Sequence, residues 1–260
     1  MNHRAPRKRF GQNFLHDSNV INKIIRSLSP RDSDHFVEIG PGRGAITEPL
    51  STAAASLDVI EIDRDLADDL RQQPWANEIR IHRDDALRFA FDQLSDTPAS
   101  LRLVGNLPYN ISTPLLFHIL RYSPLFADIH VMLQKEVVQR MIATPGNKDY
   151  GRLTVALAAH CNVESLFNIA AGSFSPAPKV ESAFARLTPL SQSRVAPEQQ
   201  QTFDAILRDA FGQRRKQLGN SLRKHLTTEQ IAATGIDPQA RAETLGIDEF
   251  VALTGASYAN

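Results

Sequence analysis

The sequence predicts an α/β fold with a mostly parallel sheet, followed by a small all-helical C-terminal domain. Between residues 36 and 133, apolar strand-like runs alternate with helix-compatible stretches, which is typical of a parallel sheet covered on both faces. A glycine-rich turn follows the first strand and opens a helix. After a polar stretch from Thr188 to Gln201, apolar residues recur at helical spacing. We therefore predict a first domain over residues 1–190 and a helical domain over residues 191–260.

The individual elements follow from local patterns. Asp17 or Ser18 can cap a first helix through Val20–Ile25, which ends before Pro30. The predicted strands are Phe36–Ile39, Leu57–Ile62, Ile79–His82, Leu101–Val104, Ile129–Leu133 and Ser182–Leu187. The predicted helices are Ala45–Ala55, Leu66–Gln73, Thr113–Leu120, Lys135–Ile142 and a tail helix from Phe203 to Leu222, interrupted near Gly212 and Gly219. Ligands of such sheets bind beyond the carboxyl ends of the strands.

Three glycines follow the first strand at alternate positions: Gly40, Gly42 and Gly44. Because glycine lacks a Cβ, the turn can be tight and its N–H groups can approach a ligand. Glu61 lies near the end of the second strand, about 20 residues later, where a carboxylate can bind both ribose hydroxyls. Pro41 removes one N–H, and Ala45 replaces the usual third glycine of dinucleotide sites. The spacing predicts a nucleoside-containing cofactor; the alternative is a turn without a ligand.

Polar residues also follow the third and fourth strands. Asp85 could accept a hydrogen bond from an adenine amine, or simply cap a helix. In the run Asn106-Leu107-Pro108-Tyr109, Pro108 biases Leu107 towards an extended form, which can hold the Asn106 oxygen and a backbone carbonyl in place. Two acceptors beside the Tyr109 ring suit an amino group on a planar base. The alternative is an Asn-Pro turn with a core tyrosine.

Further segments could contact a substrate. Phe174 begins a loop with prolines at alternate positions, which either holds its ring on a stiff arm or buries it in a hairpin connector. Basic residues cluster near both ends of the chain: Arg7, Lys8 and Arg9, then Arg214, Arg215 and Lys216. We expect the first cluster to close over a ligand or nucleic acid and the second to contact phosphates; the alternative is that both are solvated surface.

Composition narrows the class of protein. The 260 residues carry a formal net charge of zero, so the overall charge does not indicate a polyanionic partner. The single cysteine, Cys161, cannot form an internal disulfide, and no Cys/His spacing predicts a metal site. No secretory signal follows the basic N-terminus, and no apolar run approaches the ~20 residues that span a bilayer. We expect a cytoplasmic protein that does not enter a membrane.

Taken together, the motifs resemble the small-subunit ribosomal RNA adenine dimethyltransferases, the enzymes whose loss gives kasugamycin resistance in bacteria. The resemblance covers nearly the whole chain. It rests on the segments Arg9–Leu15, Val37–Gly42, Val59–Asp63, Gly105–Ser112, Leu133–Val137, Phe174–Val180 and Arg214–Lys216. The run Arg43-Gly44-Ala45 lies where relatives vary, and it affects no carried-over contact.

The resemblance implies a Rossmann-like class I methyltransferase domain with a seven-stranded sheet, an antiparallel final strand and an RNA-binding helical tail. It implies S-adenosylmethionine as methyl donor, without a metal. The implied substrate is a pair of adjacent adenosines near the 3′ end of 16S rRNA, each methylated twice at N6, within a small ribosomal subunit or its precursor. The implied cofactor positions are Asn13, Leu15, Gly40, Glu61, Asp85 and Asn106. We expect a monomer.

For the mechanism, we expect the Asn106 side-chain oxygen and the Leu107 carbonyl to accept hydrogen bonds from the two N–H groups of the adenine amine. Tyr109 and Phe174 are the candidate rings that stack on the extruded base. Four alternatives stay open. They are a large-subunit rRNA adenine methyltransferase, a non-catalytic ribosome assembly factor, a nucleotide-dependent oxidoreductase and a DNA adenine methyltransferase.

Overall fold

The computed structural model describes residues 12–213 and 215–258. Four of the predicted RNA-contacting residues, Arg7, Lys8, Arg9 and Arg214, lie outside the described residues. The strands are β1 (Phe14–Leu15), β2 (His35–Ile39), β3 (Ser56–Ile60), β4 (Arg80–His82), β5 (Leu101–Asn106), β6 (Phe126–Gln134), β7 (Cys161–Ile169), β8 (Phe174–Ser175) and β9 (Ser182–Pro189).

The α-helices fill the intervals between strands and make up most of the C-terminal part. They are α1 (Ser18–Leu28), α2 (Thr47–Ala53), α3 (Arg64–Leu70), α4 (Ser112–Leu120), α5 (Lys135–Met141), α6 (Arg152–Ala158), α7 (Gln200–Gly212), α8 (Leu218–Ser221), α9 (Thr228–Ala233) and α10 (Ile247–Tyr258). Helix α1 begins as predicted, because the Asp17 carboxylate accepts hydrogen bonds from the N–H groups of Asn19 and Val20.

Seven strands form one sheet in the order β4-β3-β2-β5-β6-β9-β7. The pairs β2–β3, β3–β4, β2–β5 and β5–β6 are parallel, whereas β6 and β9 are antiparallel. The predicted mostly parallel seven-stranded sheet with an antiparallel late strand is therefore confirmed. The strand order reverses next to β2, so that the ends of β2 and β5 lie side by side, and ligands of such sheets bind at this switch point.

Arg102 joins several elements around this sheet. From β5, its guanidinium donates hydrogen bonds to Asp128 on the neighbouring β6 at 2.7 Å and to Asp34, just before β2, at 2.6 Å. It also donates to the carbonyl of Leu28, the last residue of α1, at 2.7 Å. The Arg102 side chain is only 13% exposed, and its cation lies over the Phe36 ring. One largely buried cation thus connects α1, the residue before β2, β5 and β6.

A second, two-stranded sheet was not predicted. Strand β1 pairs antiparallel with β8, with Leu15 opposite Phe174 and Phe14 opposite Ser175. The His16 N–H extends the contact by donating to the Ser173 carbonyl at 3.0 Å. Two-residue strands leave no readable periodicity, and the partners lie far apart in the sequence, so no local pattern indicates this pairing.

The described residues divide into two compact units, one made of 12–138 and 164–189 and the other of 139–163 and the chain from 190 onwards. The second unit thus includes residues 139–163, which the sequence analysis grouped with the first domain. Its helices bury Phe203, Leu207 and Phe250, and the Tyr150 hydroxyl donates to the Leu245 carbonyl at 2.7 Å.

Several element bounds differ from the prediction. Helix α7 ends at Gly212 and α8 follows from Leu218, so the predicted interruption of the tail helix is confirmed. Strand β3 ends at Ile60, two residues before the predicted end, and leaves Ile62 49% exposed. Helix α6 and strand β7 had no prediction. Among the described residues, none of the helices is long and apolar enough to cross a bilayer.

We predict that Arg102→Met destabilises the protein by about 3 kcal/mol, because Asp34 and Asp128, only 15% and 20% exposed, would be left without their cation. Urea-induced unfolding followed by circular dichroism measures this change. Arg186→Met is the matched control: Arg186 pairs with Glu164 in a largely exposed ion pair, with side chains 43% and 58% exposed. The control should cost less than about 1 kcal/mol. Equal losses for the two variants would contradict the argument.

Candidate active site

A cavity of about 240 Å³ opens at the carboxyl ends of β2, β3 and β5. Its walls come from five segments, residues 12–15, 38–43, 60–62, 84–87 and 106–111, together with a few side chains from the adjoining helices. All six predicted cofactor positions line it: Asn13, Leu15, Gly40, Glu61, Asp85 and Asn106. Leu107 and Tyr109 line it as well, so residues far apart in the sequence meet at one sheet edge.

The glycine turn has the backbone that the sequence predicts. All three glycines have positive φ angles, 67° at Gly40, 59° at Gly42 and 84° at Gly44, which other residues adopt only with strain. Space is also restricted, because a Cβ on Gly44 would lie 2.7 Å from the Trp75 ring, and one on Gly42 would lie 3.1 Å from the Phe14 ring. The turn therefore needs glycine for conformation and for space.

Glu61 follows β3 and is 5% exposed. Its carboxylate accepts a hydrogen bond from the Asp63 N–H at 2.8 Å and a longer one from the Gly42 N–H at 3.4 Å. Burial raises the pKa of Glu61 to about 7, against the lowering effect of these two bonds. The group therefore changes charge near neutral pH, and its orientation is fixed by the glycine turn itself.

A second buried acid, Glu38, was not predicted as a site residue. It lies on β2, is 2% exposed and accepts a hydrogen bond from the Thr47 hydroxyl at 2.7 Å. Burial and, to a smaller extent, the charge of Glu61 raise its pKa to about 8. Glu38 lines the cavity and ties the end of β2 to the first residue of α2. A carboxylate inside an otherwise apolar strand was the available signal, and it was overlooked.

Apolar side chains face the cavity between these acids. Ile62, 49% exposed, lies directly after Glu61, and Ala86 and Leu87 follow Asp85. The Asp85 carboxylate accepts from the Leu87 N–H at 3.0 Å, which fixes its direction. Apolar walls on a cavity with a few aimed polar groups are what a flat aromatic ligand requires. The apolar pattern predicts Ile62 as part of the buried strand and so does not indicate its place in the cavity wall.

The Asn106–Tyr109 loop is held by three separate parts of the chain. The Asn106 side-chain amide donates to the Asn13 carbonyl at 3.0 Å. The Leu107 N–H donates to the carbonyl of Met132 on β6 at 3.1 Å. The Tyr109 hydroxyl lies 2.6 Å from the hydroxyl of Ser182 on β9. Because Asn106 uses its N–H₂ group in this way, its oxygen is the end that remains to accept a hydrogen bond.

Residues 12–15 run along the cavity and contact each strand end in turn. The Gln12 amide donates to Asp63, after β3, at 3.1 Å. The Phe14 ring lies under the Arg43 cation, 4.4 Å from ring centre to guanidinium, beside the glycine turn. With the Asn13–Asn106 bond at the end of β5, this segment closes one side of the cavity.

Phe174 does not line the cavity. It lies in β8, is 2% exposed and packs with Leu15 and Phe184 in the apolar core. In this conformation its ring offers no face to a base, because core side chains cover both sides. Its stacking role stays a prediction and requires the side chain to leave the core.

Two of the predicted RNA-contacting residues, Arg215 and Lys216, are described and exposed. They follow α7 in the second unit, and their role stays a prediction. Within residues 12–213 and 215–258, no group of three or more His, Cys, Asp or Glu side chains is arranged to hold a metal ion.

Comparisons with known proteins place this chain in a family. Residues 3–256 match the family described as ribosomal RNA adenine dimethylase. A protein of Pseudomonas syringae pv. syringae, described as ribosomal RNA small subunit methyltransferase A, is 51% identical over 253 residues, which cover 96% of this chain and 94% of that protein. A protein of Hahella chejuensis with the same description is 48% identical and covers 97% of this chain and 93% of its own length.

A crystal structure of a dimethyladenosine transferase from Plasmodium falciparum superposes with a TM-score of 0.76 at 26% identity, covering 92% of this chain and 95% of that one. This likeness and the sheet order confirm the class I methyltransferase fold. The chain therefore belongs to the ribosomal RNA adenine dimethylase family, the S-adenosylmethionine-dependent rRNA adenine dimethyltransferases.

Proposed function

We propose that this chain transfers methyl groups from S-adenosylmethionine to N6 of two adjacent adenosines near the 3′ end of 16S rRNA, and dimethylates both. The observation that carries the proposal is the Asn106–Tyr109 loop, held from three sides at the rim of a cavity with a ribose-type acid, Glu61. The small-subunit methyltransferase description of the relatives at about half identity supports 16S rRNA as the target.

The residues of the cavity fit the methyl donor. Glu61 is oriented to accept hydrogen bonds from ribose hydroxyls, and Asp85 to accept one from the adenine amine. Ile62 and Leu87 supply apolar contact for the adenine ring, while Gly40 brings backbone close to the ligand. Asn13 and Leu15 close the remaining side. S-adenosylmethionine, when bound, supplies an electrophilic methyl group on a positively charged sulfur.

The chain's contribution at the target amine is a pair of hydrogen-bond acceptors. The adenine N6 lone pair is delocalised into the ring, so the amine is a weak nucleophile. In the first transfer, the Asn106 side-chain oxygen and the Leu107 carbonyl accept hydrogen bonds from its two N–H groups and stabilise the positive charge that develops on nitrogen. The methylated nitrogen then releases one proton to water, so the second transfer begins with one N–H group. The Asn13 carbonyl keeps the Asn106 amide from rotating. Positioning supplies most of the remaining rate enhancement.

The target base must leave its stack to reach this loop. Tyr109, half-buried at the cavity rim, offers the ring on which it stacks. Arg7, Lys8, Arg9, Arg214, Arg215 and Lys216 are the proposed RNA contacts, since phosphate charges attract clustered cations. The proposed substrate is a small ribosomal subunit or its precursor, modified in the cytoplasm by a monomer.

The proposal is tested by incubating the full chain and labelled S-adenosylmethionine with four substrates. These are naked 16S rRNA, small subunits lacking the modification, naked 23S rRNA and adenine-containing duplex DNA. We expect N6,N6-dimethyladenosine at two adjacent positions near the 3′ end of 16S rRNA. Methylation of 23S rRNA alone or of DNA would contradict the target, and absence of transfer to every substrate would favour an assembly factor. Displacement of the donor by NAD(P) would favour an oxidoreductase.

We predict that Asn106→Ala reduces turnover by about 100-fold or more, because an aimed acceptor of the developing charge is lost. Donor binding, measured by calorimetry, should be partly retained. Asn168→Ala is the control, since Asn168 is exposed on β7 away from the cavity lining, and it should transfer methyl groups at the normal rate. Near-normal dimethylation by Asn106→Ala would remove the role assigned to this residue.

Donor affinity should depend on pH through Glu61. Its pKa of about 7 means that it is mostly ionised at pH 8 and mostly protonated at pH 6. Only the carboxylate offers both oxygens to the ribose, so affinity should fall about tenfold from pH 8 to pH 6, in proportion to the ionised fraction. Titration calorimetry at each pH measures it. Glu61→Gln should bind more weakly throughout and lose this component of the pH dependence. Parallel pH profiles for the two proteins would contradict the assignment.

A further inference from the structure

A hydrogen bond connects the catalytic loop to the start of β9. The hydroxyl oxygens of Tyr109 and Ser182 lie 2.6 Å apart, although the residues are 73 positions apart in the sequence. Ser182 is fully buried, at 0% exposure, whereas Tyr109 is half-buried and lines the cavity. Because Ser182 is buried at the phenol end of Tyr109 and does not line the cavity, it cannot contact a substrate there.

The position of Ser182 is fixed by the sheet. In the antiparallel ladder between β6 and β9, Ser182 lies opposite Gln134, the last residue of β6. One residue earlier, the Glu181 carbonyl accepts from the Lys135 N–H at 3.0 Å. The Lys135 and Glu181 side chains also form an ion pair at 2.8 Å. The Ser182 hydroxyl therefore occupies a fixed place in the sheet, so it can serve as a rigid reference point.

Tyr109 is held at both ends as a result. At its backbone, the Ser112 hydroxyl donates to the Tyr109 carbonyl at 3.2 Å, and the Ile111 N–H donates to the Pro108 carbonyl at 3.1 Å. At its far end, the phenol bonds to Ser182. The phenol oxygen lies on the axis of the second side-chain torsion, so the bond to Ser182 restricts the first torsion and fixes where the ring lies. The position of the ring at the cavity rim is then set before any base arrives.

From this geometry we propose that Ser182 is a positioning residue for methyl transfer. Its hydroxyl fixes the position of the Tyr109 ring, against which the extruded adenine stacks with its amine directed at Asn106. This inference rests on the proposed function. A ring that could swing away from this position would have to lose that freedom when the base binds, and the amine would reach the acceptors of the loop less often in the reactive geometry.

A double-mutant cycle on the full chain tests the inference. The variants are Ser182→Ala, Tyr109→Phe and the two combined, and the measurement is the single-turnover rate of methyl transfer to small-subunit RNA with saturating donor. Each single change removes the same hydrogen bond, so each should slow transfer about five- to tenfold. The combined variant should be no slower than the slower single variant. Donor affinity should stay unchanged in all three.

A matched control removes a different buried serine hydroxyl. Ser51 on α2 is 8% exposed and donates to the Glu48 carbonyl at 2.8 Å, and it does not line the cavity. Ser51→Ala should transfer methyl groups at the wild-type rate. A second measurement follows stacking itself, with 2-aminopurine in place of the target adenosine. Ser182→Ala and Tyr109→Phe should both quench its fluorescence less than the wild type does.

The possible results distinguish failure of the positioning role of Ser182 from failure of the proposed function. A wild-type rate in Ser182→Ala, or losses that multiply in the combined variant, would overturn the positioning role while the proposed function stands. Absence of transfer by the wild-type chain would overturn the proposed function itself. Should Ser182→Ala fail to fold, Tyr109→Phe still removes the bond and keeps the ring. Normal rate and normal quenching in that variant would likewise overturn the inference.

Discussion

The structure of the site depends on how closely the backbones of β2 and β5 approach each other at their carboxyl ends. Ile39 lies opposite Gly105 in the parallel ladder, and a Cβ on Gly105 would lie only 2.8 Å from the Ile39 carbonyl oxygen. One residue further, a Cβ on Gly40 would lie 3.5 Å from the Asn106 carbonyl oxygen. Any larger residue at position 105 would force the strands apart. The glycine turn and the loop that follows β5 face each other across one cavity because this contact is between bare backbones.

The close contact between the β2 and β5 backbones explains why the short Asn106–Tyr109 loop can be rigid. Its residues reach three different neighbours within hydrogen-bond distance: the N-terminal segment through Asn13, β6 through Met132 and β9 through Ser182. Acceptors fixed in advance need no reorganisation when charge develops on a substrate, which is where preorganised sites obtain most of their effect. The small β1–β8 sheet contributes indirectly, because it fixes the segment that supplies the Asn13 carbonyl.

The parts of the site that the sequence predicted depend on local chemistry. The three glycines, the acid after β3 and the Asn-Leu-Pro-Tyr run each restrict their own backbone, so spacing along the chain is enough to locate them. The missed parts depend on distant partners: the Ser182 hydroxyl has a role only because β9 inserts next to β6, and Ile62 is exposed only because β3 ends early. Phe174 is a position at which the sequence left two alternatives open. A ring on a proline-rich arm has the same local pattern whether it faces solvent or, as here, the core.

The two ends of the site differ in charge: one end has buried carboxylates, and the loop after β5 has neutral oxygens. Glu38 and Glu61 are both buried with raised pKa values, and the charge of Glu61 opposes the ionisation of Glu38, so a positively charged ligand near them favours the ionised forms. Among the described residues, both carboxylates accept hydrogen bonds from the glycine turn, α2 and the residue before α3 rather than from the loop after β5. That loop offers neutral oxygens instead. An amine that must keep its lone pair and its two N–H donors until the new bond forms is better oriented by neutral acceptors than by a group that takes a proton first. The proposed reaction therefore uses charged carboxylates, at the ends of β2 and β3, to hold the donor. It uses neutral oxygens, at the end of β5, to orient the base.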